Sequence, residues 1–252
     1  MIESLLTISI GEYSAVEIVL RLAVVLMSMT ALLLALSASC VSASFRFPLF
    51  LAAVALGGAA FFEAGVWQSW KEAFELAGTS YAVSGHLIAD QDRIIAWSVG
   101  VPALLWSLAL LGKPQGSHGG FALERLVGIL IILIILALIA PASSVMALLM
   151  LGLLGLFIWM PWPENSFARH LRAAHACVVV PFLVILLGSW HCLPLGKQVE
   201  KILIHGEIIH SICSLAAFVA PAMILLIGVL RISNQEVLLS STLRASTSPR
   251  EI

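Results

Sequence analysis

Residues 92–106, DRIIAWSVGVPALLW, show the features that decide the fold of this 252-residue sequence. An aspartate and an arginine begin the stretch, and Trp97 and Pro102 follow within otherwise apolar residues. A helix needs roughly 20 apolar residues to cross a bilayer core about 30 Å thick, and the apolar run here extends over 93–112. The stretch therefore predicts a membrane helix with an arginine at one end.

The whole chain has the composition of an integral membrane protein. Hydrophobic residues make up 61% of it, charged residues 11%, and the mean hydropathy is +1.07, values outside the range of soluble domains. The net charge of −1 gives no indication of nucleic-acid binding, and no phosphate-binding glycine loop is present. Seven apolar runs predict an all-α bundle of seven transmembrane helices, near 15–41, 47–70, 93–112, 121–140, 143–160, 166–189 and 199–231.

Basic residues predict the orientation, because cytoplasmic loops carry an excess of Lys and Arg. The loops on one side of the membrane carry twice as many basic residues as the loops on the other side. The larger set is Arg46, Lys113, Arg125, Arg169, Arg172, Arg231, Arg244 and Arg250. The smaller set is Lys71, Arg93, Lys197 and Lys201. We therefore expect a multi-pass protein of the inner (plasma) membrane, with its N-terminus outside and its C-terminus in the cytoplasm. The predicted organisation is a leader (1–14), a transmembrane domain (15–231) and a flexible cytoplasmic tail (232–252). Turn signals within 71–92 favour a short outer hairpin.

Three of the predicted helices carry motifs that resemble those of microbial (type I) rhodopsins. Arg93, Trp97 and Pro102 match in register the order of residues along the third helix of that family. The stretch GAAFFEAGVW, residues 58–67, is similar to the second helix of proteorhodopsins and xanthorhodopsins, and Pro181 falls on the proline of the sixth helix. Helix count and loop lengths agree over nearly the whole chain, so the resemblance implies the seven-helix rhodopsin fold.

The seventh helix departs from that family at its most important position. The family places an aspartate four residues before the lysine that forms the retinal Schiff base, and these positions correspond here to Glu207 and Ser211. A serine hydroxyl cannot form an imine, which needs a primary amine. All lysines of the chain lie near predicted membrane ends, at Lys71, Lys113, Lys197 and Lys201. We therefore expect no covalently bound retinal.

Other positions of the resemblance indicate the same loss. The counterion acid of the pumps corresponds to Ala96, the threonine of the same motif to Gly100, and the cytoplasmic proton donor to Ser107. The aromatic side chains that clamp the retinal ring correspond to Cys177, Val180 and Val184, which leaves Trp97 as the main aromatic residue of the pocket. The sequence thus resembles the rhodopsins that lack the retinal-binding lysine, and noncovalent retinal is disfavoured too.

Charged residues remain inside the predicted bundle. The family packing implies that Arg93 and Glu207 face each other, and pairing offsets much of the cost of burying each charge. His210 is predicted to be a polar neighbour of this pair. Glu63 falls where related rhodopsins have a histidine close to the neighbouring protomer, and its expected partner has become Ala96. Glu63 is therefore predicted either to be protonated, with a hydrogen bond to backbone, or to contact an adjacent subunit.

The sequence therefore predicts a non-enzymatic protein that works as a structural or modulatory subunit, alone or with a retinal-binding rhodopsin. An alternative is a chromophore-free proton or ion conductor that uses Glu207, Arg93 and Glu63. A haem carrier is a weaker alternative, since no two helices bear histidines at clearly matching depth. No metal site is expected, because His205 and His210 are five residues apart and lack the i, i+4 spacing of zinc-binding helices.

Overall fold

The computed structural model describes residues 7–86, 88, 90–111, 172–174, 176–178, 180, 181 and 199–247. Within these residues, four long helices pack against one another, α1 (Ile10–Cys40), α2 (Ala43–Ala73), α3 (Asp90–Leu111) and α4 (Val199–Thr247). In this described part of the chain, three segments are long and apolar enough to cross a membrane, namely α1, α2 and Leu203–Gln235 of α4. The predicted runs 121–140 and 143–160 and most of 166–189 lie outside the described residues.

The first helix begins earlier than its apolar run predicts. Ser9 is its N-cap, and the hydroxyl of Ser9 accepts a hydrogen bond from the Glu12 backbone N–H at 3.2 Å. The Glu12 carboxylate in turn accepts from the Ser9 N–H at 3.1 Å. This reciprocal capping box satisfies N–H groups that the first turn leaves without helical partners. Helix α1 therefore starts at Ile10, within the segment predicted to be a leader.

A three-stranded antiparallel sheet covers the ends of α1 and α2. The predicted hairpin is present, formed by β2 (Phe74–Ala77) and β3 (Ser80–Val83). Gly78 in its turn has a φ of +67°, which a glycine adopts at little cost. A further strand, β1 (Thr7–Ser9), pairs with β3 and gives the order β1-β3-β2. This third strand is not predicted by any local sequence pattern.

Aromatic side chains join this sheet to the helices. The Tyr13 ring stacks on Tyr81 of β3 with a centroid distance of 3.8 Å, and it also packs against Trp70 at 5.8 Å. Trp70 contacts Phe74, where α2 passes into β2. These rings, together with Ile204 of α4, form a buried cluster at the sheet end of the bundle. The rest of the core lies deeper between the helices and includes Met27, Leu34, Leu56, Leu104, Phe218 and Leu225.

Helix α4 continues to Thr247, past residue 231, where the transmembrane domain is predicted to end. Ser233 lies just beyond the apolar run, yet it is buried, and its hydroxyl accepts a hydrogen bond from the Ser42 N–H at 3.1 Å. This bond joins α4 to the turn between α1 and α2. The residues from 232 to 247 contain no glycine or proline that would break a helix, so the helix extends into the predicted tail.

Candidate functional site

A cluster of three charged residues lies between α2, α3 and α4. Arg93, in the first turn of α3, donates a hydrogen bond through Nη2 to Glu207 Oε2 of α4 at 3.0 Å. The same nitrogen lies 3.6 Å from Oε1 of Glu63 on α2. All three residues are buried, with 6% or less of each exposed. The contact predicted between Arg93 and Glu207 is thus present in the structure, and it includes a second carboxylate.

Glu63 also contacts the residue at the lysine position of the rhodopsin resemblance. Ser211 Oγ donates a hydrogen bond to Glu63 Oε1 at 3.1 Å, and Ser211 is fully buried. The expectation that Glu63 lacks a partner in its own chain is wrong, because Ser211 and Arg93 both contact it. Its contact with an adjacent subunit stays a prediction. The physical reason is its position on α2, where the side chain points into the bundle and is only 1% exposed.

His210 completes the polar side of the site. Its Nδ1 lies 3.5 Å from Arg93 Nη1, and the residue is half-buried. His205 is exposed, one turn and a half towards the start of α4, so the two histidines do not converge. Among the described residues, no group of three or more His, Cys, Asp and Glu side chains could hold a metal ion. The histidines near Arg169, His170 and His175, lie outside the described residues.

Trp97 and Phe218 form the apolar side of the site. The Trp97 indole N–H donates to Ser214 Oγ at 3.1 Å, and its ring meets Phe218 edge-on at a centroid distance of 5.7 Å. The Phe218 ring lies so close to Gly100 that a Cβ there would be only 2.7 Å from Phe218 Cε1. Phe218 is fully buried. The glycine therefore allows the phenylalanine ring to fill the space between α2, α3 and α4.

Ser214 and Phe218 are site residues that were not predicted, although their spacing along α4 carries a signal. Ser211, Ser214 and Phe218 follow Glu207 by four, seven and eleven residues. Residues at these intervals share one face of an α-helix. Once Glu207 is placed inside the bundle, the periodicity predicts that the other three also face inwards. All four are buried.

The other residues that the resemblance singles out either make structural contacts within the bundle or make no contact with this site. Ala96 is buried on α3 and contributes no carboxylate. Ser107 donates a hydrogen bond to the Pro48 carbonyl oxygen at 2.7 Å, which joins α3 to α2. Pro181 is helical and buried. Val180 is 56% exposed, so its predicted position among the residues lining the pocket is wrong, and Val184 lies outside the described residues.

The bundle with this internal site has the fold of the microbial rhodopsins. Xanthorhodopsin, a light-driven ion pump with dual chromophore, superposes with a TM-score of 0.78 at 17% identity, covering 91% of this chain and 98% of that one. A thermophilic rhodopsin gives a TM-score of 0.78 at 18% identity with the same coverage. The blue light-absorbing proteorhodopsin from Med12 gives 0.61 at 15% identity, covering 86% and 98%.

These comparisons define an all-α membrane protein with the seven-helix microbial rhodopsin fold. No protein-family model matches the sequence, and a search of curated proteins gives no match. At identities below 20% the likeness shows the fold alone. The orientation in the membrane stays a prediction.

Proposed function

We propose that this protein is a rhodopsin-fold membrane protein that forms no retinal Schiff base and does not pump ions in response to light. The observation that carries the proposal is the buried hydrogen bond from Ser211 to Glu63. A hydroxyl at this position cannot condense with an aldehyde to form an imine. The hydroxyl also satisfies Glu63, so the two side chains already partner each other where the family has its lysine.

The packing of Phe218 supports the absence of noncovalent retinal as well. Its ring contacts Trp97 on one side and approaches Gly100 closely on another. A ligand there would have to displace a fully buried ring, and interiors tolerate added volume poorly because they are close-packed. The residues of this site therefore do not fit retinal, and we assign no light-driven step to them.

The role that remains is that of a non-enzymatic structural or modulatory subunit, assembling with itself or with a retinal-binding rhodopsin. Helices α1 and α2 offer outward apolar side chains suited to lipid or to a neighbouring helix, including Leu32, Phe47, Phe50 and Phe61. The distribution of basic residues supports a plasma-membrane protein with its N-terminus outside and its C-terminus in the cytoplasm.

Purification of the full chain from its native membrane in a mild detergent tests this role. Native mass spectrometry should detect a complex larger than the monomer, containing either further copies of this chain or a retinal protein whose visible band copurifies in fixed ratio. A sample prepared in the same way from membranes that lack this chain controls for unspecific capture. A monomer without associated rhodopsin would contradict the subunit role.

A second candidate function is proton or ion conduction without a chromophore. Ionisable residues within membrane segments commonly mark ion pathways, and the contact of Arg93 with both Glu63 and Glu207 favours this candidate. Proteoliposomes with a pH-sensitive dye inside should then acidify or alkalinise under an imposed potential. Glu207→Gln should abolish the flux. Glu17→Gln, which removes an exposed ion pair with Arg21 on α1, should preserve it. Wild-type vesicles whose internal pH does not change under the imposed potential would exclude this candidate.

A further inference from the structure

Two basic side chains from different helices lie over the same indole ring. Arg21 of α1 has its guanidinium carbon 5.3 Å from the centre of the Trp67 ring, and Lys71 of α2 has its ammonium nitrogen 4.6 Å from that centre. The face of an indole attracts cations electrostatically, so the ring holds both groups on one patch. Both basic residues are exposed, and the patch is therefore open to molecules around the bundle.

This basic patch lies at the level of the lipid headgroups. Roughly 20 helical residues cross the bilayer core, which is the length of α1 between Arg21 and the end of the helix at Cys40. Lys71 is in the last turn of α2, directly before the sheet. Three apolar side chains that follow Arg21 along α1 towards the membrane interior are exposed, namely Leu22, Val25 and Met29. Cations at headgroup level thus stand next to a surface suited to acyl chains.

The acidic side chains near the patch leave Lys71 available to a ligand. Glu17 pairs with Arg21, at 2.9 Å between Oε1 and Nη2. Within the part of the chain that the structure describes, Lys71 forms no ion pair. The acid next to it in the sequence, Glu72, accepts a hydrogen bond from Gln68 at 2.7 Å. An anion that reaches the patch therefore meets one cation without a carboxylate and a second cation beside it.

We propose that Arg21, Trp67 and Lys71 bind one phospholipid with an anionic headgroup, in the leaflet on the sheet side of the membrane. The lipid phosphate accepts hydrogen bonds from the Lys71 ammonium and the Arg21 guanidinium, and such charge-assisted bonds are strong. Arg21 keeps Glu17 as well, because a guanidinium has five N–H donors. The acyl chains lie along the exposed apolar side chains of α1.

The charge of the patch selects the kind of lipid. A zwitterionic headgroup brings its own cation close to Arg21 and Lys71, and like charges repel, so the patch favours a lipid with a net negative charge. A free anion has no acyl chains to place on α1 and binds more weakly. This lipid site does not depend on ion conduction or on the subunit role.

Native mass spectrometry of the full chain in detergent, titrated with phosphatidylglycerol or phosphatidylcholine of identical acyl chains, tests the site. Wild-type protein should bind one phosphatidylglycerol more tightly than phosphatidylcholine. Lys71→Gln should weaken phosphatidylglycerol binding about fivefold, the usual contribution of one basic residue beside anionic lipid, and Arg21→Gln should act in the same direction. Arg46→Gln, at an exposed cation near the other end of α2, is the matched control and should keep the wild-type preference. Equal wild-type affinities for the two lipids, or equal losses in Lys71→Gln and Arg46→Gln, would overturn the proposal.

Competition and a change of the ring provide two further readouts with the same assay. Inorganic phosphate at the concentration of the lipid should leave phosphatidylglycerol bound, and displacement would show a site for a soluble anion and refute the lipid site. Trp67→Leu should lower the preference for phosphatidylglycerol, because the two cations lose the ring that holds them together. Trp67→Phe, which keeps an aromatic face, should retain more of the preference. Identical preferences in Trp67→Leu and the wild type would contradict the role of the ring.

Discussion

Ser211 on α4 donates a hydrogen bond to Glu63 on α2 across the interior of the bundle, at 3.1 Å between Oγ and Oε1. The rhodopsin resemblance assigns Ser211 to the lysine position, but the counterion acid of the pumps corresponds to Ala96, which has no carboxylate. The structure supplies one from a different helix. A lysine at position 211 would therefore have the Glu63 carboxylate beside it.

Ser211→Lys, expressed with all-trans retinal, should give at most a weak or unstable pigment. A negative charge is available from Glu63, so the limiting factors are the packed ring of Phe218 and the absence of clamping aromatics. Any pigment that forms should depend on Glu63, and adding Glu63→Gln should lower its yield or shift its absorption maximum. Ser211→Arg, which cannot form an imine, is the matched control. A strong pigment indifferent to Glu63→Gln would refute this explanation.

Glu207→Gln should destabilise the bundle, because Arg93 loses the carboxylate that accepts its hydrogen bond at 3.0 Å. Removing the partner of a buried charge typically costs about 3–5 kcal/mol, and the loss here should be smaller because Glu63 remains within reach. Adding Arg93→Gln should recover part of it. Unfolding in detergent measures these differences, with Glu17→Gln as a control that should change stability by less than about 1 kcal/mol. Additive losses would show that the two residues do not interact.

Gly100→Ala should destabilise the protein by about 1–3 kcal/mol, the usual cost of overpacking a core, because its Cβ would collide with the Phe218 ring. Phe218→Leu in the same chain should recover stability by removing the ring. Gly57→Ala is the control, since an added Cβ meets no atom within 4 Å there. Equal unfolding midpoints for the two alanine variants would contradict the close packing of Phe218 on α3.

Tyr13→Ala should loosen the sheet from the helices, because Tyr13 stacks on both Tyr81 and Trp70. Removing a buried aromatic ring costs about 3–5 kcal/mol, and part of that loss should appear locally as faster amide exchange in β2 and β3. Phe61→Ala is a suitable control, because that ring is 74% exposed. Unchanged exchange in the hairpin would show that the stacking does not hold the sheet.

The class and the fold follow from the sequence because hydropathy and a few spaced motifs encode them. Apolar runs of sufficient length have few alternatives to membrane helices, and Arg93 and Trp97 fix the register of the third helix. The contact between Arg93 and Glu207 follows once that register is known. The hairpin at Gly78 is encoded locally by its turn residues.

The partners of Glu63 and the third strand could not be predicted in the same way. Which face of α2 turns inwards depends on how the helices rotate about their axes, and a resemblance that places a histidine at this position gave the wrong surroundings for Glu63. Strand β1 pairs with β3 across more than 60 residues of sequence, so no local pattern reveals it. The hydrogen bond between Ser42 and Ser233, which joins α4 to the turn between α1 and α2, is equally remote in sequence.

The absorption spectrum of the wild-type chain expressed with all-trans retinal shows whether this protein forms a retinal pigment. Because Ser211 cannot form a Schiff base, we expect no visible band that hydroxylamine bleaches and no illumination-driven change of pH in cells or vesicles. A retinal-binding rhodopsin expressed in parallel shows that the retinal was taken up. A visible band that hydroxylamine bleaches would contradict the claim that Ser211 leaves this rhodopsin fold without a Schiff base.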